Sequence, residues 1–323
     1  SPVLQAASAV VNAVARVLPL PSTISFAVVS LGLAPLLGSF ITEPAAMTIA
    51  ALLLRDRILV VGTTSRLRYA AIAVLFVNIS IGGVLTNFAA PPVLMVADRW
   101  GWDSAFMART FGTKAVLTVF VNTAVFVALF WKQLASIAPE TSRRKGNAPP
   151  LLVAIHLTLL VLIIVSAHHA VLFIGLFLLF LGVVHAYSEN HAPLLLREGL
   201  LVGFFLAGLV ILGSPQDWWL APLVAQLGDH VLFLGTAALT AVIDNAALTY
   251  LGSLLPDTSD SFRYFLLAGA VSGGGLTVIA NAPNPAGASI LRERLPGGIL
   301  ENGKLFLYAV PPTAIALLFF AFR

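Results

Sequence analysis

The sequence predicts an all-α, polytopic transmembrane protein with two inverted repeats, each with a re-entrant helical hairpin and a broken transmembrane helix. Three observations lead to this fold class: extreme hydrophobicity, two acidic residues inside apolar segments, and two related glycine-rich interruptions. Of the 323 residues, 59% are hydrophobic and only 10% are charged, and the mean hydropathy is +0.97. Soluble domains carry roughly 25% charged residues, so this composition indicates a membrane protein whose first partner is the lipid bilayer.

The charged residues and the missing cysteines exclude several function classes. The chain has no cysteine, which excludes disulfides, thiolate metal sites and cysteine nucleophiles. The net charge of +4 comes from basic residues in short loops. That distribution is typical of the cytoplasmic loops of membrane proteins, and we therefore expect no nucleic-acid partner.

Residues 1–138 are predicted to form the first repeat. Its predicted elements are a hairpin at about 15–57, a broken helix at about 69–97 and a helix at about 107–131. Glycine and proline interrupt the apolar runs at 38–44 and at 82–92. A backbone group without a helical partner costs several kcal/mol in a bilayer unless protein or a water-filled cavity satisfies it. These interruptions therefore predict backbone that lines a site, although a proline-kinked helix is the simpler alternative.

Residues 139–149 are predicted to be a cytoplasmic linker, and residues 150–323 the second repeat. Its predicted elements are scaffold helices at 150–213, a hairpin at 216–256, a broken helix at 263–287 and a last helix at 304–321. Three spans precede the second hairpin, but only about fifteen residues precede the first. At ~20 residues a span, an equal first half needs roughly 60 more residues, so we expect its scaffold helices to be missing upstream.

Two short motifs recur in the same order in both halves, which indicates an internal repeat. Residues 43–48 align with 244–249, and residues 82–92 align with 273–283 at six identities in eleven positions. When the basic loop 55–68 is placed in the cytoplasm, the two hairpins open towards opposite sides of the membrane. Paired interrupted helices in inverted halves are typical of a transporter with a site at mid-membrane.

Glu43 and Asp244 lie inside apolar hairpins at equivalent repeat positions. A charge at the bilayer centre costs from ~3 to over 10 kcal/mol, so such residues usually face a cavity and function there. The alternative is a carboxylate that caps the second arm of its hairpin. The predicted ion- and proton-binding residues are Asp244, Asn245, Glu43, Thr42, Asn281, Thr277, Thr86, Asn87 and Asn284. The predicted helix-break backbone positions are Gly82, Gly83, Gly273, Gly274, Gly275 and Pro283.

The type of ligand favours a hard monovalent cation, because such cations prefer oxygen. The predicted Na+ ligands are Asp244, Asn245, Asn281 and Thr277. Asp244 is followed by Asn245, whose amide oxygen can share a cation, whereas Glu43 is followed by Pro44. Glu43 is therefore predicted to carry the proton or to balance charge. We expect no cofactor, with Na+ or Li+ and H+ as the transported ions.

Segments 38–46, 242–249 and 273–285 resemble the bacterial putative sodium/proton antiporter family. That family belongs to the ion transporter superfamily, with the arsenite permeases, the NhaD-type antiporters and the divalent anion/sodium symporters. The resemblance runs from about Arg16 onward. It implies a homodimer in the bacterial inner membrane that exchanges Na+ or Li+ for protons by an elevator-like movement of a transport domain, without enzymatic activity.

Three alternative functions share some of these features. An anion or arsenite-type carrier of the same superfamily is one, although two acidic hairpin tips repel an anion and suit a cation. An intramembrane aspartyl protease also needs two membrane carboxylates, but the residues before Asp244 lack its Gly-x-Gly-Asp signature. A haem protein needs histidines that face each other within spans, whereas the histidines here fall in predicted loops and near span ends.

Overall fold

The computed structural model describes residues 2–137, 149–166, 169–190, 196–213, 215 and 228–322. These residues form helices and turns, and none of them lies in a β-strand, which confirms the all-α class for this part of the chain. Nearly all of the predicted linker at 139–149 lies outside the described residues. The same is true of the first residues of the predicted second hairpin at 216–256.

The first half consists of eight α-helices. They are α1 (Pro2–Val17), α2 (Ser22–Val28), α3 (Ala34–Ile41), α4 (Glu43–Arg57), α5 (Ser65–Gly82), α6 (Pro91–Trp100), α7 (Ser104–Met107) and α8 (Thr113–Ser136). A π-helical turn, Val29–Leu33, joins α2 to α3, and another, Ala108–Gly112, joins α7 to α8. Each π turn continues the helix on both sides, so these pairs act as two longer rods.

The described part of the second half contributes eight more α-helices. They are α9 (Pro150–Val165), α10 (Ala170–Ala186), α11 (Leu196–Gly213), α12 (Asp229–Thr240), α13 (Asn245–Ser253), α14 (Asp260–Gly273), α15 (Asn284–Arg292) and α16 (Asn302–Phe320). Short 3-10 turns connect some of them. α16 continues as a helix through Pro311 and Pro312, although proline removes a backbone donor from a helix interior.

Among the described residues, four continuous helical stretches are long and apolar enough to cross a membrane. They are Ser22–Ile41, Ser65–Leu85, Ser104–Ser136 and Asn302–Phe320. α9 and α10 are apolar but shorter. Since a span needs ~20 apolar residues, these stretches support the assignment of the chain as a membrane protein.

The two predicted broken helices stop at glycine pairs. α5 ends at Gly82 and α14 ends at Gly273, and the chain then runs without regular helix, apart from one 3-10 turn, until α6 and α15 begin. α6 starts with two prolines, and Pro283 immediately precedes α15. Proline suits the start of a helix because the first N–H groups have no helical partner there. The sequence thus sets both the stop and the restart of each broken helix.

The hairpin arms pack across the two halves. α4, the second arm of the first hairpin, lies beside α15, which follows the second interruption. α13, the second arm of the second hairpin, lies beside α6, which follows the first interruption. α5 is buried along most of its length and contacts α8 and α16. Both interruptions are therefore enclosed by helices from both halves.

Polar contacts mark two opposite ends of this assembly. At one end, Arg55 Nη1 donates to Glu293 Oε2 at 3.1 Å and joins the end of α4 to the residue that follows α15. At the other end, the guanidinium of Arg263 lies 5.8 Å from the ring centroid of Trp100 and joins the start of α14 to the end of α6. The interruptions lie between these two ends.

Candidate ion-binding site

The two glycine-rich interruptions meet at the centre of the fold. Ser80 Oγ, on α5, donates to the Val271 carbonyl of α14 at 2.8 Å. A Cβ on Gly275 would overlap the backbone of Val77, so this close crossing requires a residue without a side chain. Each half therefore contributes its broken helix directly to the other.

Each hairpin also docks onto the interruption of its own half. Thr86 Oγ1 donates to the Ser39 carbonyl at 2.6 Å, and Thr277 Oγ1 donates to the Ala241 carbonyl at 2.9 Å. In both cases a threonine of the interruption satisfies a carbonyl at or just beyond the end of the first hairpin arm. Such carbonyls have no helical donor, so the threonine contacts fix the two hairpin tips.

A second pair of contacts joins the start of each second arm to its interruption. The Glu43 N–H donates to the Ala89 carbonyl at 3.4 Å, and the Asn245 N–H donates to the Ala280 carbonyl at 3.0 Å. Glu43 aligns with Asp244, so the two N–H donors do not stand at equivalent repeat positions. The residue that aligns with Asn245 is Pro44, and proline has no N–H to donate. The same docking is therefore made with different atoms.

Helix ends of both polarities converge on the centre. α3, α5, α12 and α14 end there, while α4, α6, α13 and α15 begin there. Helix N-termini carry partial positive charge and favour anionic groups. The C-terminal carbonyls and the unwound backbone favour cations. The centre can accordingly hold both an ionised carboxylate and a cation beside it.

Glu43 is the most deeply placed acid of this centre, with 0% of its surface exposed. It follows Thr42, whose φ of 77° is a conformation that β-branched residues rarely adopt. Glu43 Oε2 accepts from Asn281 Nδ2 at 2.9 Å, and Oε1 has no hydrogen-bond partner. A Cβ on Gly83 would overlap the carboxylate, so the first interruption leaves just enough room for this acid.

Asp244 occupies the equivalent position in the second half but has a different role in the structure. Its Oδ1 accepts from the Ala246 N–H at 2.8 Å and caps α13, and its side chain is partly exposed. The capping role considered above therefore applies to Asp244. Glu43, the first residue of α4, instead reaches across to Asn281 in the other half.

Three buried asparagines complete the centre, and all belong to the second half: Asn245, Asn281 and Asn284. Asn245 Nδ2 donates to Ser80 Oγ at 3.3 Å, and Asn284 Nδ2 donates to two carbonyls of the second interruption at 2.8 and 2.9 Å. The Oδ1 atom of each of the three has no hydrogen-bond partner. For Asn281 and Asn284 the Nδ2 atom faces a carboxylate or carbonyl oxygen, so turning the amide does not satisfy its Oδ1 atom.

Four buried oxygens of the centre that can only accept thus lack a donor, namely Glu43 Oε1 and the three asparagine Oδ1 atoms. The hydroxyl of Ser272, directly before Gly273, also has no hydrogen-bond partner, but it can donate as well as accept. Each unsatisfied buried polar group costs about 1–3 kcal/mol. A set of acceptors is satisfied by water, by a proton, or by a cation that prefers oxygen ligands. We name these four residues, Glu43, Asn245, Asn281 and Asn284, the oxygen cluster.

The other predicted ligands are engaged outside the oxygen cluster. Asn87 Oδ1 accepts from Ser104 Oγ at 2.7 Å, and its Nδ2 donates to the Trp102 carbonyl at 3.3 Å, so this side chain holds the first residue of α7 and the loop before it. The hydroxyls of Thr86 and Thr277 are used on hairpin carbonyls, as described above. Thr42 is partly exposed at the tip of the first hairpin. Asn281, which is predicted as a Na+ ligand together with Asp244, donates a hydrogen bond to Glu43.

Two serines that shape the centre are not among the predicted site residues. Ser39 Oγ donates to the Gly82 carbonyl at 2.6 Å and accepts from the Leu85 N–H at 2.9 Å. Ser80 joins Asn245 to the first broken helix. A sequence signal for them exists. Ser39 and Ser80 are small hydroxyl residues in otherwise apolar helices, a few positions before the motifs that start at Glu43 and Gly82.

Comparison with known families decides the assignment. A family model described as Putative Na+/H+ antiporter matches residues 1–323. The chain belongs to the putative Na+/H+ antiporter family. Among curated proteins, none matches the chain. Membership of an antiporter family agrees with the long apolar helices and supports a transport role at the membrane.

Proposed function

We propose that this member of the Na+/H+ antiporter family exchanges Na+ or Li+ for protons across the bacterial inner membrane, as a multi-pass carrier and not as an enzyme. The observation that carries the proposal is the oxygen cluster around Glu43. A cation placed there gains a carboxylate and amide oxygens as ligands. A proton on Glu43 neutralises the same carboxylate. Because one buried carboxylate cannot hold both ions, each displaces the other.

The contacts favour Glu43 over Asp244 as the acid that binds the cation. Glu43 is fully buried, has one free oxygen and lies beside Asn281. Asp244 is partly exposed and uses an oxygen as a helix cap. We therefore reverse the division of roles that the sequence suggested. Glu43 binds the cation or the proton, and Asp244 lowers the energy of a cation at the rim of the site.

The oxygen cluster also argues against an anion or arsenite-type carrier. Helix N-termini alone would suit an anion, and several begin here. The unpartnered atoms of the oxygen cluster, however, are all acceptors, and Glu43 contributes a carboxylate. An anion needs donors at that place. Proteoliposomes with an internal pH dye, challenged in turn with Na+, Li+, K+, arsenite and a dicarboxylate, test the choice directly.

We further propose elevator-like access by a transport domain that comprises the two hairpins and the two broken helices. The support is their mutual packing, with matching threonine contacts in each half and helix pairs α4–α15 and α13–α6 across the halves. The α9–α11 helices then belong to the scaffold, and α11 meets the transport domain where Tyr250 Oη donates to the Val210 carbonyl at 2.9 Å. Inverted repeats and a homodimer complete this proposal.

Asp244→Asn is expected to weaken exchange moderately. Asparagine is also a good N-cap, so α13 keeps its cap and the protein folds. Loss of a charge that acts through partly exposed surroundings costs about 1–1.5 kcal/mol, or roughly tenfold in apparent Na+ affinity. The measurement is the Na+ concentration for half-maximal dequenching in proteoliposomes. If well-folded Asp244→Asn protein loses Na+ binding completely, Asp244 and not Glu43 is the acid that binds the cation.

The membrane orientation is testable because the native chain contains no cysteine. Val61→Cys, in the loop after the first hairpin, is expected to label from the cytoplasm, since basic residues surround that loop. Ser259→Cys, just before α14, is expected to label from the outside. Labelling of intact cells with an impermeant maleimide, before and after permeabilisation, distinguishes the two faces. Labelling of both cysteines from one side would contradict the inverted arrangement.

A further inference from the structure

A second buried polar cluster lies between α5, α8 and α16. Asn122 Nδ2 donates to Asn78 Oδ1 at 2.9 Å and to the Pro312 carbonyl at 3.3 Å. Asn78 Nδ2 donates to the Leu31 carbonyl at 2.7 Å, within the first π turn. The two asparagines are 0% and 1% exposed. This cluster joins three helices and the first hairpin, and the proposed ion exchange does not use it.

Two polar atoms of this cluster have no hydrogen-bond partner, namely Asn122 Oδ1 and Thr313 Oγ1. Turning the Asn122 amide does not help, because its Nδ2 faces two oxygens that only accept. Thr313 is 4% exposed and directly follows Pro312, whose carbonyl Asn122 contacts. Pro312 also has no N–H for the Tyr308 carbonyl one turn earlier in α16. Asn122 Oδ1 and the Tyr308 carbonyl are acceptors, Thr313 carries a hydroxyl, and the contact of Asn122 with the Pro312 carbonyl brings the two segments together.

We propose that Asn122 and Thr313 hold a buried water molecule that bridges α8 and α16. The water donates to Asn122 Oδ1 and to the Tyr308 carbonyl, and it accepts from the Thr313 hydroxyl. Buried waters typically make about three hydrogen bonds to otherwise unsatisfied groups. A cation would find no carboxylate among these groups, and burial of a charge without a countercharge is far more costly than burial of water.

The bridge has a consequence for the first broken helix. It connects the proline-containing part of α16 to Asn122, and Asn122 in turn connects to Asn78 on α5. Ser80 follows Asn78 by two residues and contacts Asn245 in the oxygen cluster. The water thus helps to hold α5 in the position from which it reaches the ion site.

Thr313→Val tests the bridge, because the sign of its effect depends on the water. If the water is present, valine removes one of its partners and Tm falls by about 2–4 °C. If the site is dry, valine removes an unpaired buried hydroxyl, and Tm stays the same or rises. The matched control is Thr118→Val on α8, where the hydroxyl is already satisfied by the Lys114 carbonyl at 2.7 Å, and Tm is expected to change little.

Two further measurements separate water from the other occupants. A high-resolution experimental structure is expected to show one density peak about 2.6–3.2 Å from both Asn122 Oδ1 and Thr313 Oγ1; an empty site there overturns the proposal. Thermal unfolding in NaCl and in choline chloride, in a Glu43→Gln background, tests for an ion. A Na+-dependent rise of Tm that Thr313→Val removes would mean a cation instead of water, and it would also overturn the proposal.

Discussion

Glu43→Gln is expected to fold and to lose cation-driven proton movement. Glutamine keeps the size of the side chain and still accepts the hydrogen bond from Asn281, but it carries neither a charge nor a titratable proton. Loss of a charged partner in a buried site costs about 3–5 kcal/mol, which corresponds to at least about 100-fold weaker cation binding. Isothermal titration with Na+ and Li+ measures the binding, and dye dequenching in proteoliposomes measures the exchange.

Glu293→Gln is the matched control for this change. Glu293 is the partner of Arg55 at the end of the assembly, and its side chain is 66% exposed. Exposed ion pairs contribute little, so this variant is expected to bind Na+ and to exchange it as the wild type does. Folded Glu43→Gln protein with wild-type Na+ affinity and exchange rate would remove the oxygen cluster from the mechanism.

Gly275→Ala is expected to destabilise the protein strongly. The added Cβ would overlap backbone atoms of Val77, and backbone cannot rotate away as a flexible side chain does. Overpacking in a well-packed interior typically costs about 1–3 kcal/mol, and this crossing is at or beyond the upper limit. Because the same crossing positions Ser80 and Asn245, residual folded protein should also bind Na+ poorly. Thermal unfolding in detergent gives the stability.

Gly235→Ala is the matched control in the same half, and it is expected to stabilise the protein slightly. Gly235 lies inside α12, and a Cβ there meets nothing within 4 Å. Alanine is about 1 kcal/mol better than glycine in a helix interior, so Tm is expected to rise slightly. Equal stabilities of Gly275→Ala and the wild type would show that the two broken helices do not cross as closely as described.

The helical class and the places of interruption were readable from the sequence for a physical reason. Apolar composition and length identify helices that suit a bilayer, and glycine pairs followed by proline specify where a helix stops and restarts. α5 and α14 accordingly end at the predicted glycines Gly82 and Gly273. These signals are local, so one sequence is enough to find them.

The partners of individual side chains were not readable, because they depend on contacts between distant segments. Glu43 and Asp244 stand at equivalent repeat positions, yet one reaches across the molecule and the other caps its own helix. Asn87 lies inside a predicted site motif but binds the start of α7 and the loop before it. A repeat in sequence predicts a similar backbone. A single difference between aligned positions, such as Pro44 in one half and Asn245 in the other, nevertheless changes which N–H group donates the hydrogen bond.

The hydrogen bond between Asn281 and Glu43 spans 238 residues of chain, and this separation has a consequence for biogenesis. At about 5–20 residues per second, the ribosome needs roughly 10–50 s to produce Asn281 after Glu43 has been made. During that interval the first hairpin has no partner for its acid from the second half. Until then the carboxyl group must be neutral or in contact with water, and the oxygen cluster is complete only after the last third of the chain has been inserted.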